Sequence, residues 1–189
     1  MGENLFKITN RLINNPILCR LLKYQDPNPL DETIHPNVNG VELLHKQIVL
    51  IPKYPEDGIE YSYVLAVFED FSINPANPDF KLAQLRFDVV CPYTEWIINE
   101  DNLRPYLLME EVDKMFNQAN LSGIGKLQFI EAKPLVLSPQ VAGYSLYYSI
   151  NEFNWRKNFK IYVRPPSNIL GRLSCEISVF ERDSRGGIR

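Results

Sequence analysis

The side chains best placed to do chemistry are Glu131 and Lys133, one residue apart in the strand-like stretch "KLQFIEAK". Alternation along a strand puts both on one face. An acid and a lysine so arranged form half of a site in which carboxylates hold magnesium and the lysine steadies an attacking water. Such a site needs a second acid, for which Asp88 and Asp113 are the candidates. Three residues make a short motif, Pro134 follows at once as a strand-ender, and the protein is acidic. A charged pair on a solvated or subunit-facing strand is therefore the preferred reading.

The stretch "NLSGIGKLQF" (120–129) sets two glycines and a lysine close together, as phosphate loops do. A phosphate loop of the Walker type requires G-x-x-x-x-G-K-[ST] and runs from a strand into a helix, so that the helix N-terminus faces the phosphate. Here a helix precedes and a strand follows, Leu127 stands after the lysine, and only Ile124 separates the glycines. Gly123 or Gly125 is expected to close the helix in the left-handed conformation.

Other chemistry is thinly represented. Cys19, Cys91 and Cys175 are far apart and flanked by apolar residues, which predicts small buried hydrophobes. His35 and His45 are the only histidines, and no ligand-spaced cluster joins them, so no metal or other cofactor is expected. Neither a serine elbow nor a reactive-cysteine motif is present, and no catalytic residue is assigned. The terminal "RGGIR" is a single copy without aromatic interleaving and reads as a frayed end.

These residues sit in a chain of 189 with 20 basic and 23 acidic side chains, a net charge of −3 that disfavours gripping nucleic acid by phosphate neutralisation. The hydrophobic share of 45% predicts a real core. No apolar run approaches a membrane span, and the start lacks the apolar core of a signal peptide, so synthesis in the cytosol is expected.

Apolar periodicity predicts two short helices at the start. The first spans 3–14, with Leu5, Phe6, Ile8, Leu12 and Ile13 forming its stripe. Asn15 before Pro16 opens the second, with Ile17, Leu18, Leu21 and Leu22 facing inward. "QDPNPLDETIHPNVNG" reads as an irregular loop and "KQIVLIPKYP" as a short strand. A long antiparallel hairpin is predicted, roughly 60–71 with 81–91, whose tip projects.

The segment "INEDNLRPYLLMEEVDKMFNQAN" predicts an amphipathic helix capped by Asp101 or Asn102, with Leu108, Val112, Met115 and Phe116 packed on the sheet. Two more strands, "KLQFIEAKPLVLS" and "GYSLYYSINEF", follow, the second with Tyr144, Leu146, Tyr148 and Ile150 on one face. The fold class is α+β: a mostly antiparallel sheet with a projecting hairpin, one amphipathic helix packed on it and two short N-terminal helices. Residues 1–154 form the domain and 155–189 a strand-like C-terminal arm.

Taken in order, "LRFDVVCP", the helix "LRPYLLMEEVDKMFN", a glycine turn, "LQFIEAKPLVLS" and "AGYSLYYSINEF" resemble the tail-terminator and neck proteins of tailed bacteriophages. The resemblance covers about 60–154. It implies a structural virion protein without catalytic residues, made in the bacterial cytoplasm. It further implies a homo-oligomeric ring, commonly of six or a multiple of six, that meets neighbouring neck, portal-adaptor or tail-tube proteins. DNA passes through such a ring without specific binding, and the net negative charge fits a conduit.

Aromatic-rich strands with open edges invite pairing with another chain. The 60–91 hairpin and segment 159–181 are expected to supply the contacts by strand addition. Tyr61, Tyr63, Phe71, Phe80, Arg86, Asp88, Tyr147, Phe159 and Tyr162 are the subunit-contact candidates. The alternatives are a magnesium-dependent nuclease of the PD-(D/E)xK type using Glu131 and Lys133, and an α+β adaptor outside virions.

Overall fold

In a computed structural model of the chain the described residues are 2–51, 54, 59–99 and 101–153. The expected C-terminal arm, Phe159, Tyr162 and segment 159–181 lie outside them.

Helix α1 (Gly2–Ile13) and helix α2 (Pro16–Lys23) form as the periodicity predicts. The Asn15 side chain accepts a hydrogen bond from Leu18 N at 2.9 Å, and Pro16 occupies the first turn, where a missing N–H costs nothing. Ile8, Leu12, Leu18, Leu21 and Leu22 are fully buried. Two expected inward residues are not. Phe6 is exposed, and Thr9 and Asn4 take the inner side of α1, with Thr9 Oγ1 donating back to Leu5 O and Asn4 Nδ2 to Gly123 O. Ile17, in the first turn of α2, is exposed at a cleft.

The loop that follows is irregular but tied down. Arg20 holds Glu32 at 2.9 Å and Asn37 at 2.7 Å, and His35 stacks on Tyr24 while pairing with Asp26 at 2.8 Å. At Gly40 a side chain has no room, because a Cβ would lie 2.0 Å from Ile13 O.

Strand β1 (Ile48–Val49) lies parallel to β2 (Tyr63–Ile73), which forms the predicted antiparallel hairpin with β3 (Lys81–Pro92). A bulge between Glu69 and Ser72, with Asp70 in the left-handed region at φ +52°, brings Phe68 and Phe71 together on Phe153. The two-residue strands β4 (Ile97–Ile98) and β5 (Asn102–Leu103) form a separate small hairpin. They absorb the expected helix cap: α3 (Arg104–Phe116) starts after Leu103 without a side-chain cap.

Leu108, Val112 and Phe116 of α3 are fully buried, and Met115 is partly so. Phe87 meets Phe116 with ring centroids 4.5 Å apart, and Tyr148 donates its hydroxyl to Asp113 Oδ1 at 2.9 Å, fixing the helix to the sheet. After the helix, the left-handed residue is Gln118 (φ +59°), not a glycine. Gly123 (φ +80°) and Gly125 (φ +95°) instead turn β6 (Asn120–Leu121) into β7 (Gly125–Ser138). They shape a hairpin, and the helix ends without them.

Strand β8 (Val141–Phe153) pairs with β3 on one side and β7 on the other. The six-stranded sheet runs β1-β2-β3-β8-β7-β6, antiparallel except at β1–β2. The fold is α+β, with three helices among the described residues and a mostly antiparallel sheet, as the sequence predicts. The main core lies between the sheet and the helices. Cys19 and Cys91 belong to it, and burial pushes their thiols up to about 11 and about 12.

Candidate functional site

Alternation along β3 sends Leu85, Phe87 and Val89 toward the helices, and so turns Arg86 and Asp88 to the other face of the sheet. The register places Ser145 beside Asp88 and Tyr147 beside Arg86. Strand β7 then adds Lys133 opposite Ser145 and Glu131 opposite Tyr147. Six polar side chains from three strands thus share one face.

At its centre Asp88 is fully buried. It accepts the hydroxyls of Tyr54 and Ser145, each at 2.6 Å, and Arg86 Nε at 3.1 Å. Three donors compensate the burial of this carboxylate. Burial, and then the neighbouring Asp88, raise the Tyr54 hydroxyl well above its ordinary value. Burial works to lower the Arg86 guanidinium, but Asp88 and Glu69 outweigh it and hold it above its usual range.

At the rim, Glu131 and Lys133 do share a face and pair at 2.6 Å, half exposed, with Lys133 Nζ 5.3 Å from the Tyr147 ring centroid. The hydrogen bond that Lys133 donates to Glu131 raises the lysine. Neither candidate second acid stands free to join them: Asp88 is clasped by its three donors, and Asp113 lies across the sheet, receiving Tyr148. Among the described residues no three His, Cys, Asp or Glu side chains group as a metal site.

The contact candidates fall in different environments. Tyr61 is exposed, and Phe80, Phe71, Arg86 and Tyr147 are half-buried. Tyr63, 3% exposed, and Asp88 do not reach the surface. Tyr63 belongs to a small apolar cluster with Val90 and Val141, and Asp88 to the network above, so both support the sheet from within the subunit. Phe159 and Tyr162 lie outside the described residues.

Pro134 does not end its strand. The ladder to β8 continues through it to Ser138 because of a bulge between Phe129 and Glu131. Leu127 N–H points outward to Ala119 O, so before the bulge the odd-numbered residues face away from β8. The extra residue reverses this parity, and Ala132, Pro134 and Val136 turn their backbone groups outward. A proline in that place removes no bond from the ladder.

Strand β6 covers only Gly125 and Lys126. Among the described residues, nothing pairs with the outer edge of β7 from Ile130 to Ser138. Phe129, Ile130 and Val136 are exposed, Val136 at 69%. Ala132 and Pro134 are exposed as well. This open edge was missed among the sequence-predicted contact residues, although the Glu-x-Lys-Pro run marked the strand that carries it.

A cleft of about 610 Å³ lies between α1, the start of α2 and α3, lined by Asn10, Asn14, Ile17 and Met115 among others. Asn15 Nδ2 donates to Glu111 Oε2 at 3.0 Å and Arg11 Nη1 to Met115 O at 2.5 Å, so these polar groups are used in joining the helices.

Fold and site together define an α+β protein whose six-stranded sheet has a polar face and, among the described residues, one unpaired outer edge. A family model described as YomW matches residues 15–150, which takes in both terminal strands of the sheet and α3. The chain belongs to the YomW family, whose name is of a Bacillus-phage type and makes this a phage-type protein. Among the curated proteins no match is found. No helix among the described residues is long and apolar enough to cross a membrane.

Proposed function

We propose that this protein is a structural virion component that assembles into a ring at the phage head-tail junction, as a tail terminator or neck ring, with a central channel for DNA. The observation that carries the reading is the outer edge of β7, a border about nine residues long that is unpaired among the described residues and carries exposed apolar side chains, in a phage-type protein. Monomeric proteins cover or blunt such borders, and pairing with another copy within an assembly removes them. Its copies are its first partner, and neighbouring neck, portal-adaptor or tail-tube proteins its second. The net charge of −3 suits a wall past which phosphate slides.

Negative-stain imaging of the purified full chain tests this. Closed rings of six or a multiple of six copies are expected, together with intact DNA after incubation in magnesium. A protein that stays a single copy at high concentration overturns the reading, and so does DNA cleavage that Glu131→Gln abolishes.

A further inference from the structure

The outer edge of β7, unpaired among the described residues, is complementary to itself. Its outward backbone groups are those of Ala132, Pro134 and Val136, and Ala132 is flanked by Glu131 and Lys133, half exposed on one face. Let two such edges run antiparallel with Ala132 opposite Ala132 of a second copy. Residues whose numbers sum to twice 132 then stand opposite each other, so Glu131 of each copy faces Lys133 of the other.

Neighbouring settings are worse. Moving the axis one residue either way sets Glu131 against Glu131 or Lys133 against Lys133. Centring it on Pro134 sets two carbonyls face to face without an N–H between them. At Ala132 the central pair exchanges two N–H···O=C bonds, and Ile130, which is 47% exposed, comes opposite Pro134 of the second copy.

We propose that β7 pairs antiparallel with β7 of a second copy of this chain, about a twofold axis at Ala132. The inference rests on the assembly reading above and gives it a unit. A twofold contact joins copies in pairs and does not by itself close a ring, so a ring built from it holds an even number of copies and a second contact lies elsewhere on the subunit.

Two experiments on the full chain test it. In a Cys175→Ser background, Ala132→Cys is expected to give a covalent dimer with oxidised glutathione, since opposed residues of an antiparallel pair lie within disulfide range, while Val136→Cys stays uncross-linked. Cys19 and Cys91 are buried and do not compete. No dimer at position 132 in material that still assembles overturns the pairing. A covalent dimer in material that never forms rings upholds the pairing and overturns only the ring.

Charge exchange supplies the second test. Glu131→Lys and Lys133→Glu each place like charges opposite one another in a self-pair, and each is expected to raise the dissociation constant of the pair about tenfold. Mixed in equal amounts, the two variants are expected to pair again, because each carries the charges the other lacks. Mixing mends contacts between copies and leaves the pair inside each chain broken, so folded variants that do not recover on mixing overturn the proposal.

Discussion

Arg104 Nη1 donates to the main-chain carbonyl of Tyr24 at 2.7 Å, joining the start of α3 to the end of α2 across 80 positions of sequence. The same side chain reaches Glu95 O at 2.8 Å, Asp26 O at 2.9 Å and Leu21 O, and it is fully buried. A guanidinium set on the last carbonyls of a helix satisfies acceptors the helix leaves open and meets the negative end of its dipole. Burial works to lower its pKa, and Glu95 opposes that.

Arg104→Met keeps much of the stem and removes every donor, leaving four inward carbonyls without one. A loss of about 3 kcal/mol is expected, read from the urea midpoint at unchanged slope. Arg104→Lys is expected to recover less than half, because an ammonium cannot span the fork that a guanidinium fits.

Glu95 supplies a pH dependence. Its carboxylate is buried and accepts Ser62 N at 3.1 Å and Ser62 Oγ at 2.6 Å. Burial raises its pKa, while Ser62 and Arg104 oppose the rise without cancelling it. Above the ordinary carboxylate range the unfolded chain has released this proton while the folded chain still binds it. The contribution of Glu95 to stability is therefore full below that range and falls as pH rises through the folded value. Glu95→Gln keeps an acceptor for Ser62, so chemical denaturation across pH 4 to 8 is expected to show the wild type losing stability relative to the variant as pH increases.

Gly143 marks where β8 passes close to β3. A Cβ there would stand 1.8 Å from Val89 O, a backbone atom that cannot turn aside. Gly143→Ala is expected to lower stability by about 3 kcal/mol, seen as a fall in Tm, through forced separation of two central strands.

The sequence made the architecture legible wherever periodicity and caps agreed, as at Asn15–Pro16, the β2–β3 hairpin and the apolar face of α3. It failed where tertiary partners decide. Phe6 has the same apolar character as Ile8 yet faces out, while Asn4 finds the Gly123 carbonyl on the inner side and the buried Thr9 closes on Leu5 O of its own helix. Arg104 reads as an ordinary first-turn residue beside Pro105, and only the fold shows the carbonyls that surround it. The glycines of 123–125 announce a positive φ, but the helix had already ended at Gln118.

The candidate site was half legible. Alternation placed Glu131 and Lys133 on one face. The register that stations Asp88, Ser145 and Lys133 in a row depends on a bulge, and nothing local in "QFIEA" announces one. Tyr63 and Asp88 looked like contact residues because strands offer two faces, and sequence does not say which face a loop residue such as Tyr54 will cover.

The kink at Asp70 gives the outer third of the hairpin an arithmetic of its own. Phe68 and Phe71 are three apart and ought to look in opposite directions, yet both lie on Phe153 because one residue there goes uncounted by the partner strand. Deleting Asp70 would remove the uncounted residue and leave Phe68 and Phe71 two apart on a regular ladder, still on one face, whereas one further residue counted by the partner strand would turn Phe71 over. The trio thus survives loss of the bulge residue but not a one-residue slip of the paired ones, which sets the facing of the hairpin's outer third by register.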